Sequence, residues 1–108
     1  MSKNGENLNE EQQEQLLFMM LIQQHQQIAM MGLGKLQNPA TREMEKDLSS
    51  AKYAIDTLAM LKKYTKGNLS DEAGGYLEQT LTTLRMNYAE EAKKAKSESK
   101  GDASDQDE

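Results

Sequence analysis

A glycine turn between two apolar stripes constrains the fold of this chain more than any other feature. Lys66-Gly67-Asn68 favours a turn, because glycine readily takes the left-handed conformation found just past the end of a helix. On both sides of it, apolar residues recur at spacings of three and four, the period of a helix with one buried face. An antiparallel hairpin then places residues at equal distances from the turn opposite each other. The expected pairs are Leu58 with Leu77, Ala54 with Leu81, Ala51 with Leu84 and Leu61 with Gly74, with Leu48 and Tyr88 closing the far end.

The whole chain is predicted to be all-α, with a long N-terminal helix followed by this antiparallel helical hairpin. Valine is absent and alternating apolar and polar runs are missing, so no strand is expected. Asn9 with Gln12 three positions later predicts a capping box, and Ser70 is the expected N-cap of the third helix. Pro39 falls in the first connection, where a helix cannot easily continue. The three helices are expected over residues 9–34, 44–65 and 70–95.

The two ends of the chain are too polar to join the helical domain. A length of 108 residues allows one small domain, which we place at residues 9–96. Residues 1–8 and 97–108 are predicted to be disordered tails, the second of them acidic, because they carry too little apolar surface to offset the entropy of ordering. Cysteine is absent, which excludes a disulfide framework and a thiolate metal site and favours the cytoplasm.

Helix one is apolar in every direction around its axis. Residues 16–22 are seven consecutive apolar residues, and residues 28–33 are again mostly apolar. The Gln-rich stretch 23–27 between them leaves open whether the helix is continuous. A two-helix hairpin covers only one side of such a helix, and exposed apolar surface usually marks an interaction site. We therefore expect self-association or docking to a protein partner, without catalysis. The predicted contact residues are Leu17, Phe18, Met20, Leu21, Ile28 and Met31.

Little else in the sequence indicates chemistry. His25 is the only histidine, and it has Gln neighbours rather than a carboxylate to orient it as a base or metal ligand. Methionine pairs along one helix are too far apart to hold one copper ion, so no metal and no cofactor are expected. The alternative function is a small ligand-binding or enzyme subunit, with His25 and tyrosines lining a pocket between helix one and the hairpin. The tyrosines are otherwise expected to pack along the hairpin edge.

The charge pattern argues against nucleic-acid and membrane partners. The formal net charge is −5, whereas a nucleic-acid-binding domain normally has a basic face. The polar residues of helix one are Gln and Glu rather than Lys and Arg, which disfavours a membrane-surface helix. Gly32 and Gly34 have two interpretations, a close helix crossing or the end of helix one. The second is favoured, because glycine is costly inside a helix.

One stretch resembles a known family. Residues 51–69 contain Ile55-Asp56-Thr57-Leu58-Ala59-Met60-Leu61 and the turn Thr65-Lys66-Gly67-Asn68-Leu69, and a later helix contains Leu84-Arg85-Met86-Asn87-Tyr88. This pattern is similar to that of the small bacterial proteins grouped as domain-of-unknown-function family 1844, over about residues 16–90. The resemblance implies the helical fold and a bacterial cytoplasmic setting. It assigns no catalytic or ligand residue.

Overall fold

A computed structural model describes the backbone of residues 8–107 and the side chains of residues 8–98. Its three helices are α1 (Glu10–Gly32), α2 (Leu48–Tyr64) and α3 (Asp71–Asp107), and no strand occurs among residues 8–107. The predicted all-α fold, with a long first helix and a helical hairpin, is confirmed. The tail predicted for residues 1–8 lies outside the described residues except for Leu8.

Helix α1 begins at the predicted cap and runs unbroken through residues 23–27. The side chain of Asn9 accepts a hydrogen bond from the Gln12 amide at 2.7 Å, and the Gln12 side chain accepts one from the Asn9 amide at 3.0 Å. At its other end, Gly34 has a φ of 78° and the Lys35 amide donates to the Met30 carbonyl at 2.9 Å. This is the Schellman arrangement, in which a left-handed glycine lets the last carbonyls of a helix find donors.

Helix α2 begins at Leu48, four residues later than predicted. The Asp47 carboxylate accepts hydrogen bonds from the Ser50 amide at 3.3 Å and the Ser50 hydroxyl at 2.9 Å, so Asp47 is the N-cap. The residues before it form an irregular connection in which the Asn38 amide donates to the Glu43 carbonyl at 2.9 Å. The Glu43 carbonyl is therefore already paired in this turn and does not accept the first hydrogen bond of a helix that begins at Met44.

Helix α3 begins as predicted and continues further. The Ser70 hydroxyl accepts from the Ala73 amide at 3.1 Å, and Gly67 in the preceding turn has a φ of 86°. The sequence predicts that this helix ends near residue 95 and that residues 97–108 are a disordered tail. The helical backbone instead extends to Asp107, so the predicted tail is wrong over residues 97–107. Residues 96–107 contain no proline to interrupt the helix, although Ser, Asp and Gly, which are poor helix formers, outnumber Lys, Ala, Glu and Gln among them.

The core lies where all three helices meet. Helix α1 contributes Ile22 and Ala29, followed by Leu33 just past its end, and the rest of the core comes from the hairpin. Leu48, Leu61 and Tyr88 pack against it while partly buried. Six of the ten residues predicted to face each other in the hairpin are thus buried in one cluster, and Gly74, the predicted partner of Leu61, is not part of it. The fully enclosed or nearly enclosed hairpin members are Ala51, Ala54, Ile55, Leu58, Leu77, Leu81 and Leu84.

Gly32 is a helix-crossing position, which corrects its favoured interpretation as a helix terminator. A Cβ atom at Gly32 would lie 2.7 Å from both the Ala51 nitrogen and the Asp47 oxygen. The Asp47 amide also donates to the Gly32 carbonyl at 2.7 Å. Only a residue without a side chain lets the α1 backbone approach the start of α2 this closely. Gly34 terminates the helix instead.

Candidate interaction surface

Helix α1 carries an uncovered apolar face on the side away from the core. Leu17 is 64% exposed, Met20 45% and Ile28 36%, although all three are large apolar side chains. Helical geometry places the core residue Ile22 roughly 140° around the axis from Leu17. We call the set on the uncovered side the outward face of α1. It consists of Leu17, Met20, Leu21, Gln24, Ile28 and Met31.

Five of the six predicted contact residues lie on this outward face. Leu17, Met20 and Ile28 are exposed, and Leu21 and Met31 are half-buried. Phe18 points the other way: it packs against the core and lines a groove of about 230 Å³ between α1 and the start of α3. Because the sequence is apolar in all directions there, only the position of the hairpin decides that Phe18 turns inward. The role of these residues in partner contact stays a prediction.

The inward contacts of α1 hold the outward face in place. Phe18, Ile22 and Ala29 attach the helix to the core, and the Gln15 side-chain amide donates to the Glu72 carboxylate of α3 at 3.2 Å. Near its C-terminal end, Ile28 and Met31 border a cavity of about 170 Å³ together with Asp47 and Ser50 of the α2 start. At that end the Asp47 amide also donates to the Gly32 carbonyl at 2.7 Å, so the face is presented on a helix held to α3 near its start and to α2 near its end.

Helix α1 places no charge of its own on the outward face, and the carboxylates of Glu45 and Asp47 lie beside it only at the Ile28 end. From residue 15 to residue 34 the chain contains no Asp, Glu, Lys or Arg. Charged side chains flanking an apolar seam normally set the choice of a foreign partner. A neutral apolar face instead matches another neutral apolar face.

His25 takes a structural place beside this surface. Its Nδ1 lies 3.0 Å from the Leu21 carbonyl oxygen, so the ring donates to the backbone of its own helix while partly buried. The groove between α1 and α3 is lined by Gln15, Phe18 and Leu69 rather than by this histidine. Within the described residues, no group of three His, Cys, Asp or Glu side chains is placed to hold a metal ion.

The tyrosines divide into two pairs. Tyr76 and Tyr88 pack against the core, as predicted for the hairpin edge. Tyr53 and Tyr64 do not, because both project from α2 into solvent. Lys63 lies 5.5 Å from the centre of the Tyr64 ring, a cation–π contact at the surface. The edge-packing prediction is therefore wrong for Tyr53 and Tyr64.

A buried carboxylate is the feature that sequence analysis missed. The Glu91 side chain is only 5% exposed and lies 2.6 Å from the Lys46 ammonium and 3.4 Å from those of Lys35 and Lys94. Its hydrogen bond to Lys46 is the largest reason why its pKa falls from 4.5 to about 2, with Lys94 and Lys35 adding to the effect. Lys35 and Lys46 thereby tie the connection between α1 and α2 to α3, the helix that carries both Glu91 and Lys94. Glu91 continues the inward stripe of the buried Leu84 and the half-buried Tyr88 at helical spacing, a signal that an acidic residue faces inward.

Comparison with known proteins adds one finding. A family described as Domain of unknown function (DUF1844) matches residues 15–90, which include α1 from its second turn, all of α2 and the first part of α3. Neither a curated protein nor a solved structure matches the chain. No helix among the described residues is both long enough and apolar enough to cross a membrane.

Proposed function

The chain belongs to the DUF1844 family, whose description names no activity, and we propose that it is a non-catalytic module that self-associates by packing the outward face of α1 against a second copy. The observation that carries this proposal is the exposure of Leu17, Met20 and Ile28 on one side of α1, whose other side packs against the core. Exposed apolar surface of this kind commonly marks a protein interface.

A second copy suits this face better than a charged partner does. Helix α1 itself places no charge on the face, so a partner with a charged surface would lose hydration there and could gain an ion pair only at the Ile28 end, where Glu45 and Asp47 line the same cavity. An identical face is apolar in the same places and is related by two-fold symmetry, which is the commonest arrangement of soluble oligomers. In such a dimer, each chain covers the outward face of α1 that the hairpin of the other chain leaves exposed.

The proposal is tested by the mass of the full chain in solution across a concentration series, measured by sedimentation or light scattering. The wild-type chain is expected to have twice its mass of 12.2 kDa. The double substitution Leu17→Glu with Ile28→Glu is expected to give a monomer. These half-exposed side chains are worth roughly 1 kcal/mol each when covered. The four removed from a dimer therefore amount to roughly 4 kcal/mol, or about a thousand-fold in Kd.

A matched control separates the effect of the face from that of added charge. Met86 on α3 is 68% exposed and lies outside the outward face. Met86→Glu should leave the mass unchanged, since it places the same charge on the same kind of exposed apolar position. Circular dichroism of all three proteins checks that the helices remain. A wild-type chain that stays a monomer at the highest concentration refutes the proposal, as does a double variant that keeps the dimer mass.

A further inference from the structure

The outward face of α1 has a polar residue at its centre. Leu17, Leu21, Gln24, Ile28 and Met31 follow one another at spacings of four, three, four and three, the heptad spacing of a coiled-coil seam. We call these five positions the α1 seam, which extends about 21 Å along the helix. Gln24 is exposed in the single chain, with two apolar positions before it and two after it.

We propose that Gln24 fixes the orientation of the dimer, so that two α1 helices pack parallel and in register with the two Gln24 side chains facing each other. This inference rests on the self-association proposed above. A side-chain amide has a carbonyl that accepts and an amino group that donates, so two facing glutamines satisfy each other. In coiled coils, one Asn or Lys in an otherwise apolar seam selects the register and the number of strands, and Gln24, at the other type of seam position, carries the same amide group as Asn.

The antiparallel alternative leaves the same side chains without partners. In an antiparallel pair, the position of Gln24 faces the position equivalent to Leu21 in the other copy, because the two types of seam position then alternate across the interface. Each amide would be covered by a leucine. A buried polar group without a hydrogen bond is costly, and the symmetric dimer would contain two of them.

Charges do not override this preference. The segment from residue 15 to residue 34 has no charged side chain. Glu45 and Asp47 border the seam at its Ile28 end and are acidic like Glu14 at the other end, so an antiparallel pair brings carboxylates together as a parallel pair does and gains no ion pair from them. Glu14 lies one seam position before Leu17, so a parallel pair brings two Glu14 carboxylates toward each other. Glu14 is exposed, and repulsion between solvated charges is weak and screened by salt. The unsatisfied amides therefore decide between the two orientations.

The absence of cysteine from the chain allows a direct test by disulfide formation. Leu17→Cys and Ile28→Cys are made as separate full-length variants, and one of them carries a tag that changes its size. Under mild oxidation, a parallel pair joins Leu17→Cys chains to each other and Ile28→Cys chains to each other. In a mixture of the two, few disulfides connect one variant to the other. Met86→Cys, outside the seam, serves as the control for random collision. The disulfide yields of the Leu17→Cys and Ile28→Cys homodimers are each expected to be at least ten times the yield of the Met86→Cys homodimer.

The role of Gln24 is tested in the same assay with Gln24→Leu added to each cysteine variant. The chains should still dimerise, because leucine suits an apolar seam, but mixed disulfides should now rise toward the level of the homodimers. Mixed disulfides in the chains that keep Gln24, at yields equal to or above the homodimers, overturn the parallel assignment while leaving self-association intact. An unchanged pattern in the Gln24→Leu chains overturns the role of Gln24. A monomeric wild-type mass refutes the proposed function itself.

Discussion

The close approach of α1 to α2 requires a residue without a side chain at position 32. A pair of glycine-to-alanine substitutions measures how much stability depends on this requirement. In a helix, alanine is favoured over glycine by about 1 kcal/mol, because glycine loses more backbone freedom on folding. Gly75 in α3 has nothing within 4 Å of an added Cβ. Gly75→Ala should therefore stabilise the folded chain by up to about 1 kcal/mol.

Gly32→Ala should have the opposite effect. Its Cβ would lie 2.7 Å from two backbone atoms and 3.0 Å from the Ala51 Cβ. Backbone atoms cannot rotate away, so α1 and α2 must separate. Overpacking of this kind costs about 1–3 kcal/mol, and two backbone contacts point to the upper end of that range. Subtracting the helix preference of up to about 1 kcal/mol leaves a net destabilisation of about 2 kcal/mol.

Urea unfolding followed by far-ultraviolet circular dichroism checks both values at one protein concentration. The two variants should differ from each other by about 3 kcal/mol in the free energy of unfolding, although the chemical change is identical. The slope of the free energy against urea should be unchanged, since the folded state exposes the same surface. A Gly32→Ala protein that matches or exceeds the wild type in stability would refute the close-crossing argument.

Three further expectations concern single residues. Gly67→Ala should cost about 1 kcal/mol in urea unfolding, because the residue has a φ of 86° with open space around it, and a neutral result would contradict the strain. Asn9→Ala should cost about 1 kcal/mol through loss of the α1 cap, and Asn9→Asp should retain most of the stability. The lysines around Glu91, Lys46 foremost, lower its pKa to about 2, so its carboxylate stabilises the folded chain above about pH 4.5 and this contribution is lost as the pH falls toward 2. Glu91→Gln should thus unfold more easily than the wild type near neutral pH and lose that difference in acid, and equal stability at neutral pH would show that the lysine cluster contributes nothing.

The sequence by itself determined the features that depend on near neighbours along the chain. The Asn9 cap, the Ser70 cap and the Gly67 turn each involve residues within a few positions of one another, so the residue types alone predict them. The hairpin stripes also belong to this class, because their period indicates one buried face on each helix. These signals were enough to predict the number, order and type of the helices.

Only the tertiary structure decided which way the apolar residues of α1 point. A helix that is apolar all round has no preferred face, so the placement of α2 and α3 turns Phe18 inward and leaves Leu17 outside. The contacts of Gly32 with Asp47 and of Glu91 with Lys35 join residues far apart in sequence. Their proximity follows from how the helices pack, which local spacing does not encode. The outward face of α1 is therefore defined only by the packing of the hairpin against the opposite side of the helix.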